Sequence, residues 1–476
     1  MIILGTNSIK AAGGYDVANS LRFNSGSSDN LTKTFSGNGS TTKFTASFWV
    51  KRSKIGDAQE MVAKLNDGAN ETTIRFKDDD TLNFVDYASD STLLGKTTNR
   101  KFRDTSAWYH IVCNIDTTQG SSDDRAKIYV NGVQETSFSA NTVYSQNAST
   151  SWNNTWGTHI GWSGSDNYFD GYLSHVALVD GTALTPTSFG ETDSTSGIWK
   201  FKSPSGVTWG TNGVHLKFEN SGALGTDSSG NSNTFAVNGN LKQSLDTPSN
   251  VYATLNTLNL QTSSPPTIIN GNNTISAITD NDNVATTLGG EFKWYYEAKV
   301  LVNPDTSNNL GVGVGACHID AFNYAGWSAG NRSGFQNSDT KWYSNNLSSN
   351  GRFVEGAGTQ VTVGLTQANA GAIIGVACDS ANGRVYIHVN GVYQNSGDPV
   401  GGTGYIGGTT GKSGIWFPYF SPDGTNYGTV DVNFGNGLFG TTAITSAGSN
   451  GNGSLFEYDV PSGYYALNTK NINTYG

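Results

Sequence analysis

Two short phrases close on an Asn-Gly pair, and they set the plan of the chain. One is Ile128-Tyr-Val-Asn-Gly-Val, the other Tyr386-Ile-His-Val-Asn-Gly-Val-Tyr. Asn-Gly tolerates the positive φ angles of primed two-residue turns, so each phrase predicts a tight β-hairpin. Each closing strand is preceded by another apolar strand and a polar turn. In the first half 108–116 leads into 126–134; in the second, 373–378 turns at Asn382-Gly383 into 384–389. Hairpins of the same design this far apart predict two β domains.

The rest of the text agrees with that plan. Only 14% of the 476 residues are charged and 60 are glycine. Average chains carry roughly 25% charged residues, so here Asn, Ser, Thr and Gly keep the surface polar, and they favour turns over helices. Period-2 apolar strands are expected at 21–24, 44–51, 72–76, 82–87, 108–115, 126–130 and 172–179. No apolar stripe of 3.6-residue period persists; one helical turn is expected at Thr185-Pro186, with Pro at its first position. The glycines at 311, 313 and 315 lie in a strand pattern, where they allow neighbouring strands close approach.

Charge and cysteines exclude several classes. A net charge of −10 without a Lys/Arg cluster argues against nucleic acid as partner. No apolar run approaches the roughly 18 residues that span a bilayer, so no membrane insertion is expected. Cys113, Cys317 and Cys378 fall in strand interiors and read as small buried hydrophobes. The short apolar start, Ile2-Ile3-Leu4, is too brief for a secretory signal, and assembly in a cytoplasm is expected.

Ser20-Leu-Arg-Phe-Asn-Ser-Gly, Phe48-Trp-Val-Lys, Trp108-Tyr-His-Ile-Val, Ile128-Tyr-Val-Asn-Gly and Phe169-Asp-Gly-Tyr-Leu resemble the successive strands of laminin-G-like domains. The resemblance covers residues 19–190 and implies a concanavalin-A-like jelly roll. Lys293-Trp-Tyr-Tyr-Glu-Ala-Lys, Leu310-Gly-Val-Gly-Val-Gly, 373–378, 385–392 and Trp416-Phe-Pro-Tyr-Phe are similar in order to an SPRY domain over 249–440, which implies a bent sandwich. The expected architecture is all-β: two antiparallel sandwiches, an arm (1–18), a connector (191–248) and a tail (441–476). Within the connector, Gly213-Val-His-Leu-Lys-Phe-Glu resembles a displaced opening strand of a laminin-G-like domain and is expected to close the first sandwich, the alternative being a separate hairpin between domains. A phrase beginning at Asp246-Thr-Pro-Ser recurs at Asp459-Val-Pro-Ser, which suggests a docking segment after each domain.

The combination resembles virion proteins of marine tailed bacteriophages. That implies a display or adhesion role on the virion, with sister subunits, other virion proteins and a host-surface glycan or protein as partners; a purely architectural decoration or adaptor is the alternative. Residues Ile2, Ile3 and Leu4 would dock the arm. Aromatic rings in polar loops suit sugar faces or plug sandwich rims, and Trp152, Trp156, Tyr168, Trp327, Trp342 and Tyr343 are the candidates for either role, with Trp162 beside them. Laminin-G-like domains often hold Ca²⁺, and Asp78, Asp80, Asp166 and Asp170 are the candidate ligands. No other cofactor is expected. A hydrolase would need two carboxyls roughly 5 Å apart on one face, and no such run stands out. The six histidines are scattered, so no enzymatic activity is expected.

Overall fold

The computed structural model describes residues 17–164, 167–258, 266–276, 283–302, 311–323, 338–345, 350–356, 358–407, 411–423, 428–444 and 446–476. They divide into two compact units that meet in sequence at 250/251.

The first unit is two packed antiparallel sheets. One contains β1 (Ser20–Phe23), β3 (Lys43–Arg52), β8 (Tyr109–Asp116), β9 (Ala126–Val130), β10 (Val133–Gln134), β13 (Gly171–Asp180), β16 (Val214–Leu216) and β18 (Lys242–Ser244). The other contains β2 (Asn30–Lys33), β4 (Gln59–Asp67), β5 (Asn70–Phe76), β6 (Thr81–Ala88), β7 (Ser91–Lys101), β11 (Phe138–Thr142), β12 (Gly157–Ile160) and β17 (Ala236–Asn238). Alternate residues of both sheets meet between them: Phe48, Ile111, Ile128 and Leu173 from one side, Val62, Ile74, Phe84 and Ile160 from the other. This is the period-2 pattern turned into a core. The hairpin turn behaves as its sequence dictates, with Asn131 at φ 48° and Gly132 at φ 81°, and Val130 facing Val133 across it. At the 380–383 turn only Gly383 takes positive φ, and Asp379 pairs with Arg384 across a longer loop.

The late strands of the connector belong to this sandwich. Val214, His215 and Leu216 pair with Leu178, Ala177 and Val176; β17 pairs with β2, and β18 with β1. Between them a short hairpin, β14 (Gly190–Thr192) and β15 (Trp199–Phe201), precedes the closure. Phe189, just ahead of the connector, joins Val112, Ala177 and Val179 in a second buried cluster, with the connector's Val207 and Trp209 against it. Asp246 is fully buried and anchors the exit: it takes Lys51 Nζ at 2.7 Å and Trp108 Nε1 at 3.1 Å.

The second unit is also two antiparallel sheets. One runs Thr267–Ile269, Thr274–Ser276, Thr429–Asn433, Lys293–Val302, Ile373–Asp379, Arg384–Val389, Val392–Tyr393; the other Val284–Ala285, Trp416–Asp423, Gly311–His318, Thr340–Asn345, Gly351–Glu355, Thr359–Leu365. Gly313 faces Trp342 and has no room for a Cβ, so the alternating glycines serve close strand packing. The tail is part of this unit. Tyr465–Ala466 runs parallel to Lys293–Val302, and the helix Thr469–Tyr475, capped by the Asn468 side chain, exchanges hydrogen bonds with Val251. Glu297, wholly buried, accepts the tail's Glu457 and Tyr458 N–H groups, each at 2.8 Å.

Candidate functional site

Among the described residues, the jelly roll presents a half-exposed aromatic shelf beside β12. Along β12, Thr158 and Ile160 are buried while His159 between them points to the other face. Its ring meets the edge of Trp162 at 4.9 Å, and Trp162 lies stacked on Tyr168 at 5.8 Å and 15°. Gly157 makes this possible, because a Cβ there would sit 2.9 Å from His159 Nε2. The following loop turns through Gly161 (φ 87°) and Gly164 (φ 86°) and folds back on the sheet, with Phe169 N–H on Gly161 O and Glu60 N–H on Asn167 O. Burial pushes His159 down to about 4, so it is a neutral ring at physiological pH. Two nearly parallel rings beside a neutral imidazole can pack against the C–H face of a sugar.

The expected ligand aromatics separate sharply. Tyr168 is half-buried and belongs to the shelf; Trp156 is half-buried at the entry to β12. Trp152 is not available: it is buried, stacked on Phe44 at 4.8 Å and packed on Phe84, and it plugs the core. Trp342 and Tyr343 are also corrected. They lie on the strand Thr340–Asn345, whose residues are all buried, rather than in a loop. Trp342 packs edge-on to Tyr419, and Tyr343 OH donates to Thr366 O at 2.5 Å. Buried rings cannot meet a sugar. Trp327, and the docking residues Ile2, Ile3 and Leu4, lie outside the described residues.

Of the calcium candidates, Asp80 and Asp170 are engaged by other partners. Asp80 is buried between two guanidiniums, Arg52 at 3.0 Å and Arg103 at 2.9 Å, and accepts Gly56 N–H at 2.8 Å. Burial alone would raise its pKa, yet those donors together hold it below the usual carboxylate range. Asp170 is engaged by Ser25, through N–H at 2.8 Å and Oγ at 2.6 Å. Asp78 is exposed, and Asp166 lies outside the described residues. Among the described residues one other group has ligand spacing, His318, Asp320 and Asp339. Lys412 already neutralises it, with Nζ 2.9 Å from Asp320 and 2.8 Å from Asp339, and these contacts raise its pKa.

The buried carboxylates are committed in the same way. Glu60 takes the Thr73 hydroxyl and Arg75 at 3.2 Å; Glu297 takes two backbone amides and Tyr295 OH at 3.0 Å. Burial raises Glu297 to about 7. His110 is a structural spacer, stacked between Trp49 and Trp199, with its nitrogens engaged by Ser47 Oγ and Trp199 Nε1.

Comparison with known proteins finds a family match within the first unit. Residues 24–188 match the family model of the concanavalin A-like lectin/glucanases superfamily. Solved structures similar to the chain include a SAP-like pentraxin from Limulus polyphemus (17% identity, 36% of this chain and 80% of that one, TM-score 0.27). Mouse laminin alpha1 domains LG4-5 match at 9% identity over 90% of each chain, TM-score 0.31. The SPRY domain of human HERC1 matches at 14% identity over 35% of this chain and 91% of that one, TM-score 0.23. No curated protein matches the sequence. The 24–188 segment is thus similar to laminin-G-like domains of the concanavalin A-like lectin/glucanases superfamily.

Proposed function

We infer that this chain is a non-catalytic adhesion protein whose laminin-G-like unit binds carbohydrate. The observation that carries the reading is the Trp162–Tyr168 stack with His159, half-exposed on a lectin-type domain. The commitment of Glu60 and Glu297 to internal partners supports a binding rather than a hydrolytic role. The second unit is read as SPRY-type and architectural, since Trp342 and Tyr343, the described aromatics expected to bind from it, are core residues. The finer setting follows the sequence resemblance: a virion protein of a tailed bacteriophage, assembled in the host cytoplasm, with sister subunits and other virion proteins at its arm and a host-surface glycan as ligand.

A glycan array probed with the intact chain tests the binding claim. The wild type should mark a restricted set of glycans, and Trp162→Ala with Tyr168→Ala should lose that set while the melting temperature holds within a few degrees. An unchanged array pattern in the double variant overturns the shelf as the site. Release of reducing ends from a host polysaccharide would replace the adhesion reading with a depolymerase.

A further inference from the structure

A second, chemically different recess opens at the lateral edge of the same sandwich, where β7 and β11 of one sheet face β9 and β10 of the other. Its volume is about 190 Å³, space enough to admit a sugar ring. Lys96 sits at its heart. On β7, Leu94 and Thr98 are fully buried on the inward side and Lys96 lies between them, 3% exposed. Its Nζ donates to Asn141 Oδ1 at 2.5 Å and stands 4.3 Å over the Phe138 ring.

The charges around the recess are unevenly settled. Glu135 is ion-paired to Arg100 at 2.6 Å, and Lys127 to Asp124 at 2.8 Å. Lys96 takes part in no ion pair among the described residues. Asp123, exposed at the mouth, is the carboxylate that acts on it from a distance. Burial accordingly pulls the Lys96 ammonium below its ordinary range. A buried ammonium with an amide oxygen and a ring face as its neighbours, open to a ring-sized recess, lacks a counterion.

We propose that this recess binds an acidic sugar unit, with the ligand carboxylate on Lys96, its hydroxyls on Gln134 and Asn141, and its ring against Phe138. The proposal rests on the reading of this domain as carbohydrate-binding, and it adds a charge preference that the neutral aromatic shelf cannot supply. A carboxylate on a buried ammonium forms a charge-assisted hydrogen bond, enough for about tenfold in affinity over a neutral analogue.

The test is titration of the intact chain with an oligosaccharide ending in a uronic acid and with the same oligosaccharide ending in the neutral hexose. The acidic ligand should bind about tenfold tighter at low salt, with the margin shrinking between about 20 mM and about 300 mM NaCl. Lys96→Met should bring the acidic ligand down to the neutral one, whereas Tyr168→Ala should leave the acidic preference in place. Asn141→Asp, which supplies an internal counterion, should abolish the preference even if the Lys96 variant fails to fold. Equal binding of the two ligands by the wild type overturns the proposal while leaving the shelf reading intact. So does a preference that survives either recess variant. Failure of both ligands, together with a blank glycan array, removes the carbohydrate reading itself.

Discussion

Lys64 should make the first unit less stable than it could be, in a pH-dependent way. It lies on β4 facing inward, 2% exposed, beside Phe35, Trp152 and Leu178 around a cavity of about 10 Å³ that holds one water at most. Its Nζ donates to Asn154 O at 2.6 Å and lies 5.2 Å over the Phe35 ring. Burial lowers its pKa from 10.5 to about 7, with distant Asp180 opposing. At about 1.4 kcal/mol per pH unit, the fold disfavours the charged form by about 5 kcal/mol, and at pH 7 the penalty averages about 4. Between pH 7 and 10.5 the folded state holds fewer protons than the unfolded chain, so stability rises with pH through that window. The full penalty applies below pH 7. Lys64→Met removes it and orphans the Asn154 carbonyl, a loss of about 1–2 kcal/mol. The variant should therefore be more stable by about 2–3 kcal/mol at pH 7, read from urea unfolding of the first unit. That advantage should shrink by about 2 kcal/mol by pH 9. Equal or lower stability of the variant at pH 7, or a difference constant from pH 7 to 9, would refute the reasoning.

Other perturbations have equally definite outcomes. Glu297 has a folded pKa raised from 4.5 to about 7, so stability of the second unit should fall by up to about 3 kcal/mol as pH rises across that range. Glu297→Gln should flatten that slope in denaturant titrations. Trp152→Ala and Trp342→Ala each empty a buried site and should cost about 3–5 kcal/mol while leaving glycan specificity unchanged in any fraction that folds. Gly375→Ala drives a Cβ into the His388 ring and should lower the melting temperature of the second unit by several degrees, as calorimetry would show.

The all-β plan was legible because it lies in local pattern: Asn-Gly turns and strands alternating around Phe48, Ile111 and Ile128. Some of the strands that escaped notice are polar. β7 reads Ser-Thr-Leu-Leu-Gly-Lys-Thr-Thr-Asn-Arg-Lys, with little alternation, and its place follows from pairing with β6 and β11. Trp342 and Tyr343 looked like loop aromatics because Asn and Ser flank them, yet Thr340–Asn345 is a buried strand whose polar side chains find partners inside. Burial of that kind is a tertiary fact. Asp80 likewise resembled a calcium ligand until Arg52, 28 residues earlier, was found against it. The shelf was half visible, since Tyr168 was singled out in sequence, but its partnership with His159 depends on glycine-permitted loop geometry. The Lys96 recess draws residues from several segments, and no linear signal marks it.

The claim that the first unit holds a sugar on its aromatic shelf is tested most directly by calorimetric titration of the intact chain with its best array glycan. Wild type and Tyr168→Ala would be compared at equal thermal stability. Loss of one stacking ring should weaken binding by about tenfold, the 1–1.5 kcal/mol expected of an aromatic contact. Identical affinity in the two proteins would contradict the account.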